Sequence, residues 1–224
     1  MEHPLLFLPI ILDALGLPAY GGDTPIAQVL APHMQYSYLA MIICLVLAWL
    51  GTKRLQMIPS GMQNVMEMFV GGMEDFITEQ VGDRQKARMI FPMVATFGYL
   101  ILISNYLGLI PGFMSPTANI NVTLGYTSIA IVTYHALGIR FHGFKYIKHF
   151  MGPIPVMAPF FLIVETFSHL GRIASLSIRL FGNMMSKEML LGLLFTMAGP
   201  YLAPLPIMLL GTLVCLLQAF IFVV

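Results

Sequence analysis

The chain has 224 residues, 58% of them hydrophobic and 9% charged, whereas soluble domains carry roughly a quarter charged residues. A water-soluble chain of this size would have to leave large apolar patches exposed, so the composition excludes a soluble globular protein and places the chain in a lipid bilayer. The net charge of +1, with no basic patch interleaved with aromatics, gives no sign of a nucleic-acid partner, and Cys44 and Cys215 stand singly in apolar runs, as small core residues rather than a metal site or disulfide framework.

The stretch from His3 to Pro18 is apolar but has no basic beginning and is interrupted by Pro4, Pro9 and Asp13. It reads as an interfacial segment rather than a cleaved secretory signal, within an external N-terminal segment over 1–35. Between Asp23 and Lys53 there is no formal charge, and Tyr36, Tyr38 and Trp49 flank an apolar run, the pattern of an interface-anchored span. Residues 36–51 are the first predicted span; they are short for a bilayer, so the helix is expected to begin a few residues earlier. From there Met62, Val65, Met66, Phe69, Met73, Phe76 and Ile77 recur at three- and four-residue steps, opposite Asn64, Glu67, Glu74, Asp75 and Glu79. This predicts an amphipathic helix over 60–82, opened by a capping box of Ser60 and Gln63 and stopped by Gly82. Its polar face is acidic where membrane-surface helices are usually basic, which suits contact with a partner subunit as well as lipid.

Residues 89–139 contain no Asp, Glu, Lys or Arg, length enough for two spans, 89–110 and 119–138, joined by a turn at Pro111, Gly112, Ser115 and Pro116. The second carries Asn119, Asn121, Thr123, Ser128, Thr133 and His135, groups that seldom face lipid, and is predicted to face other helices. A basic loop over 140–149 leads to a long helix over 155–197 and a last helix over 205–224, separated by Pro200, Pro204 and Pro206. Lys53, Arg54, Arg84, Lys86, Arg88, Arg140, Lys145 and Lys148 make up all but three of the 11 Lys and Arg. This arrangement puts them on one side, the cytoplasmic side by the positive-inside rule, with the N-terminus outside and the C-terminus in the cytoplasm. The predicted fold class is all-α and polytopic: a single membrane domain over 1–224, with about five transmembrane helices, one amphipathic interfacial helix, and the long charged helix and last helix forming a hairpin.

After residue 149 the only Lys, Arg, Asp or Glu are Glu165, Arg172, Arg179, Lys187 and Glu188, all on the long helix. At about 100° per residue, Glu165, Ser168, Arg172, Ser175, Asn183 and Ser186 fall within roughly 40° of Arg179, forming one polar stripe. An arginine near mid-membrane costs at least about 2.5 to 3.5 kcal/mol and needs a compensating partner. One helical turn away on either side stand only Ser175, Leu176, Gly182 and Asn183, and the other spans offer no Asp or Glu, so the counter-charge is expected from another chain. The bland alternative is an Arg179 that snorkels or binds an anionic lipid. Glu188 lies about 180° around the helix from Arg179 and can line a different compartment. His169 is either a proton relay or a hydrogen-bonded packing histidine. Glu165 is either a channel carboxylate or the partner of Arg172, and Gln218 either bonds helix to helix or neighbours Arg179.

The run SLSIRLFGNMMSKE from Ser175 to Glu188 resembles the signature of the a subunit of F-type ATP synthases. So does LQAFIFVV at the end of the chain, where Gln218 matches the family's glutamine, and SNYLGLIPGF (104–113) and SPTANINVTLG (115–125) are further matches. The resemblance covers nearly the whole chain. It implies a non-catalytic stator subunit of the membrane sector, beside a rotating ring of c subunits that each carry a membrane-embedded carboxylate. The ring supplies the missing counter-charge, and peripheral stalk b subunits and the lipid bilayer are further implied partners. The arginine at the Arg179 position then separates two aqueous half-channels, and the family's polar positions map onto Glu165, Arg172, Ser175, Asn183, Glu188 and Gln218. No cofactor and no metal is implied; the translocated ion is H+, with Na+ the alternative, across a bacterial inner membrane.

Two departures from the family pattern stand out. Some members pair the acid at the Glu188 position with a histidine seven residues before the glutamine, where this chain has Gly211; ion admission past Glu188 is therefore expected to use water or His169. The family's last helix also usually runs several residues beyond the position of Val224. Two readings from other classes remain at this point. One is a secondary transporter binding an anionic substrate at Arg179, against which the lack of a convincing internal repeat speaks; the other is a structural subunit whose stripe only fixes assembly.

Overall fold

In the computed structural model, which describes residues 7–14, 31–53, 56, 61–110, 112–143, 158–198 and 204–223, the described residues form seven α-helices and one short 3-10 turn. They are α1 (Phe7–Ala14), α2 (Pro32–Thr52), α3 (Met62–Val81), α4 (Arg84–Leu107), α5 (Ile120–His142), α6 (Ala158–Ala198) and α7 (Leu205–Val223), with the 3-10 turn at Pro116–Ala118 before α5. Five of them, α2, α4, α5, α6 and α7, are long and apolar enough to cross a membrane. The protein is an all-α, polytopic membrane protein.

The first span starts at Pro32, where the missing N–H falls on a turn that has no intrahelical acceptor. Its far end is an interface anchor, with Lys53 Nζ 4.4 Å from the centre of the Trp49 ring. The second span extends back to Arg84, because Asp83 caps it by accepting from the Gln85 N–H at 2.9 Å and its charged first turns are helical too. The third begins where the Asn119 side chain accepts from the Asn121 N–H at 2.9 Å, and continues to His142. Residues 155–157 and 224, the outer limits of the last two predicted helices, lie outside the described residues, as do Arg54, Lys145 and Lys148.

The amphipathic helix α3 ends as its sequence directs: Gly82 adopts φ 70° and returns its N–H to the Thr78 carbonyl at 2.9 Å. Its opening differs. Ser60 is outside the described residues, and Gln63 is buried, its amide bonded to both backbone groups of Gln56 and to Glu67. The acidic face is also partly engaged inside the chain, since Glu74 accepts from Arg88 Nε at 2.8 Å and lies 3.9 Å from Arg84 Nε. The Arg88 hydrogen bond holds the Glu74 carboxyl below the ordinary carboxylate range, against partial desolvation and with help from both charges.

Burial follows helix periodicity. On α6 the buried residues are Ser177, Leu180, Met184, Lys187 and Leu191, and on α7 Gly211, Cys215, Gln218 and Ala219, all at three- and four-residue steps. They meet α4 and the turn before α5 in two clusters, Leu109, Ala118, Met184 and Cys215 in one and Ile101, Leu180 and Ala219 in the other. α7 runs antiparallel to α4, with Val223 against Gly98 and Leu109 against Gly211. α5 runs antiparallel to α6: Ser177 Oγ donates to the Thr123 carbonyl at 3.5 Å and His135 meets His169. Of the polar groups on α5, Thr123 is buried with Thr127 beneath α6, whereas Asn121 and Ser128 are exposed, so only part of that face is turned to other helices.

The short helix α1 sits under the turn between α4 and α5. The Phe7 N–H donates to the Gly112 carbonyl at 3.2 Å, and Tyr36 Oη donates to the same carbonyl at 3.3 Å. Gly112 has φ 87°, and any side chain there would collide with the Phe7 ring.

Candidate functional site

The helix α6 carries two different faces of polar chemistry. One is open. Ser168, Arg172, Ser175, Arg179, Asn183 and Ser186 are all exposed on the surface of the chain, and Glu165 is half-exposed at the end of the same row. Only 6% of the membrane-length window of α6 is buried against the rest of the chain. The Arg179 guanidinium takes one long hydrogen bond, Nη2 to Ser175 Oγ at 3.5 Å, and has no ion pair among the described residues. Four residues on, Asn183 Nδ2 donates to Gln218 Oε1 at 3.0 Å, so the glutamine makes the helix-to-helix bond and braces the row at its side. Gln218 is itself buried on α7.

At the near end of the row, the partner of Glu165 is His169, one turn on, with Oε1 3.4 Å from Nε2, rather than Arg172. His169 cannot assist Glu188, as the sequence reading had allowed. Nineteen residues of helix separate them, about 28 Å of axial rise.

The second polar face is closed. Glu188 reaches back to the turn before α5 and accepts the Ser115 N–H at 2.5 Å. Ser115 Oγ donates to the Ser104 carbonyl at 3.0 Å or shares its proton with Thr117 Oγ1 at 2.7 Å, and Thr117 Oγ1 lies 2.7 Å from Asn105 Oδ1. Lys187, buried with 8% of its surface exposed, closes the chain of contacts from the other side. Its ammonium lies 3.3 Å from the Asn105 carbonyl, 3.3 Å from Met184 Sδ and 3.4 Å from Cys215 Sγ. Such a knot ties the Glu188 carboxylate to Ser115 and the neighbouring Lys187 to Asn105, both more than seventy positions away in the chain.

The glycine at position 211 now has a reason. A Cβ there would stand 3.0 Å from Lys187 Cδ and 2.9 Å from Leu109 Cδ2, closer than packed carbons tolerate. The notch admits the lysine stem, which fills the space a larger residue on α7 would take. Gly211→Val is therefore expected to lower the amount of assembled protein in membranes, with an overpacking cost of about 1 to 3 kcal/mol. Lys187→Ala in the same chain should recover only the part of the loss due to the lysine stem, since the Leu109 contact remains. Equal yields for Gly211→Val and the parent in quantitative blots of membranes would contradict this packing account.

The sequence reading marked Glu165, His169, Arg172, Ser175, Arg179, Asn183, Glu188 and Gln218. The fold brings Ser175, Arg179, Asn183 and Gln218 together, joins Glu165 to His169, and holds Glu188 apart in the knot. Ser104, Asn105 and Thr117 were read only as parts of matching motifs, and Ser115 as a turn residue besides. Their one sequence signal is that each is a polar group in an otherwise charge-free, apolar stretch. No group of three or more His, Cys, Asp or Glu that could hold a metal ion occurs among the described residues.

Five helices long and apolar enough to cross a membrane, one of them bearing an open row of polar and cationic groups, define a polytopic membrane protein. Residues 34–224 match the family described as ATP synthase A chain. The chain is 49% identical to ATP synthase subunit a of Desulfotalea psychrophila, over 100% of this chain and 94% of the relative. It is 47% identical to ATP synthase subunit a of Syntrophobacter fumaroxidans and 43% identical to that of Geobacter sulfurreducens, each over 99% of this chain and 93% of the relative. The chain belongs to the ATP synthase A chain family, as a component of the membrane sector of ATP synthase.

Proposed function

We propose that this chain is the ion-translocating stator of the membrane sector, presenting the exposed row of α6 to a c-subunit ring and holding Arg179 between two aqueous half-channels. The observation that carries the reading is the open row itself. Polar groups and two guanidinium ions along a membrane-length helix cannot rest against lipid, because each lacks a partner in hydrocarbon. A ring of helices, each with one carboxylate, supplies both the cover and the opposite charge. Guanidinium stays protonated throughout the working pH range, so Arg179 binds a passing carboxylate without itself relaying the ion.

Ions enter from the outside past Glu188, neutralise a ring carboxylate, and leave after nearly a full rotation toward the cytoplasm past Glu165 and Arg172. The ion is H+, which the carboxylates of both paths can carry. With the basic turns cytoplasmic, the N-terminus lies outside, the C-terminus inside, and the part of the acidic face of α3 beyond the Glu74 pairs is left for the b subunits of the stalk. Each charge that crosses 100 mV gains about 2.3 kcal/mol, so several ions are summed for each ATP. Cysteines at Ser175 or Asn183, paired with cysteines on the outer helix of the ring, should form disulfides in assembled complexes. A cysteine at the lipid-exposed Leu45 on α2 should not. Cross-linking to the ring from Leu45 but not from the row would refute the proposal.

A further inference from the structure

The pair of histidines at the interface of α5 and α6 extends the proposed ion path by a residue on a second helix. The His135 ring lies against that of His169, with centroids 4.6 Å apart and planes at 70°. His169 Nε2 is in turn 3.4 Å from Glu165 Oε1. The exposure of these groups is graded: the Glu165 side chain is 46% exposed at the end of the open row, whereas that of His169 is 14% exposed behind it. His135 stands beyond, on the neighbouring helix. From α6, His169 meets the His135 ring directly, Glu165 lies behind His169, and Arg172 stands one turn further along the same helix. On α5 itself, Tyr134 lies edge-on at 5.3 Å, and Arg140 follows five residues later.

We infer that Glu165, His169 and His135 form a three-member proton relay, with His135 carrying the proton off α6 onto α5. This rests on the reading of α6 as the wall of an ion path and names what continues that path on the Arg172 side of Arg179. The chemistry needs only N–H and O–H bonds. A proton arriving at the Glu165 carboxylate passes to a ring nitrogen of His169, the carboxylate stabilises the imidazolium so formed, and the proton moves on to His135 as His169 returns to neutral. Two imidazoles in contact repel each other when both are charged, so protons cross the pair one at a time. A purely packing histidine needs neither the carboxylate one turn away nor a second imidazole.

The test uses membrane vesicles containing the whole complex, with proton flux measured both as ATP-driven pumping and as passive conduction after removal of the catalytic sector, across neutral pH. His135→Gln and His169→Gln should each slow passive conduction about tenfold or more, the lower end of general acid–base effects. They should also flatten its pH dependence, and added imidazole should restore part of the flux. Unchanged conduction and pH profile in assembled variants would overturn the relay. So would slowed conduction with an unaltered pH profile and no recovery with imidazole, which marks a packing role. If glutamine at 135 or 169 prevents assembly, asparagine at the same position carries the same test with the same outcomes. Arg179→Ala, measured alongside, separates the two levels of failure. Normal coupling there sinks the underlying reading of α6, while lost coupling there beside unaffected histidine variants sinks the relay alone.

Discussion

Replacing Arg179 with alanine is expected to abolish ATP-driven ion pumping while leaving the complex assembled. Arg179 makes one 3.5 Å hydrogen bond to Ser175 and no ion pair among the described residues, so the chain loses little packing when it goes. What is lost, on the proposed role, is a charge-assisted pair with each arriving ring carboxylate. Hydrogen bonds to charged groups contribute about 1.5 to 3 kcal/mol, and each 1.36 kcal/mol is about a factor of ten in rate. Coupled flux should therefore fall by about 10- to 150-fold or more, with passive leak between the half-channels as the companion effect. Arg179→Lys should recover only part of the function. An ammonium lacks the planar fork that meets a carboxylate at two points, and it can shed its proton when desolvated. Proton pumping in inverted vesicles, normalised to complex content, measures both. Pumping at the parental rate in Arg179→Ala would remove the central element of the mechanism.

The second large effect is expected at Glu188, and its two variants should behave differently. Glutamine keeps an oxygen that can accept the Ser115 N–H, so Glu188→Gln should assemble normally yet slow ion translocation by about tenfold or more, because the protonatable group is gone. Leucine removes the acceptor as well. It leaves the Ser115 N–H without its partner, at a cost of about 1 to 3 kcal/mol, and should lower the amount of assembled complex as well as its rate. Rates per complex and complex yield, measured in the same membranes, separate the two. A full rate in Glu188→Gln would show that the carboxylate serves structure alone, and equal yields of the two variants would show that the Ser115 bond does not brace the turn.

The membrane spans other than α6 were legible because they are set by composition over long windows: charge-free runs of sufficient length can hardly be anything else. The open row on α6 was legible for a related reason, since one helix carries it and helical periodicity alone aligns Glu165 with Asn183. The closed knot was not. Ser104, Asn105, Ser115, Thr117 and Lys187 lie on three separate segments, and isolated hydroxyls and amides in apolar runs have no period to betray them. Gly211 was visible as a departure from the family pattern, but the stem that occupies its notch comes from another helix, and only packing names it. The distance of His169 from Glu188 follows from rise per residue, whereas its contact with His135 depends on the register of α5 against α6, which sequence does not fix.

The length of α6 has a consequence for depth. Forty-one residues rise about 62 Å, roughly twice the 30 Å or so of a hydrocarbon core. Any tilt that brings more of this length into the hydrocarbon shortens the advance of each residue through the bilayer below its 1.5 Å rise. Along such a ramp, groups a full turn apart, Ser175, Arg179 and Asn183, sit closer to a common level than on an upright helix, while Glu165 and Glu188 are carried toward opposite surfaces. The tilt turns part of the spacing along one helix into a lateral sequence of stations, the direction in which a neighbour sliding within the membrane plane would meet them.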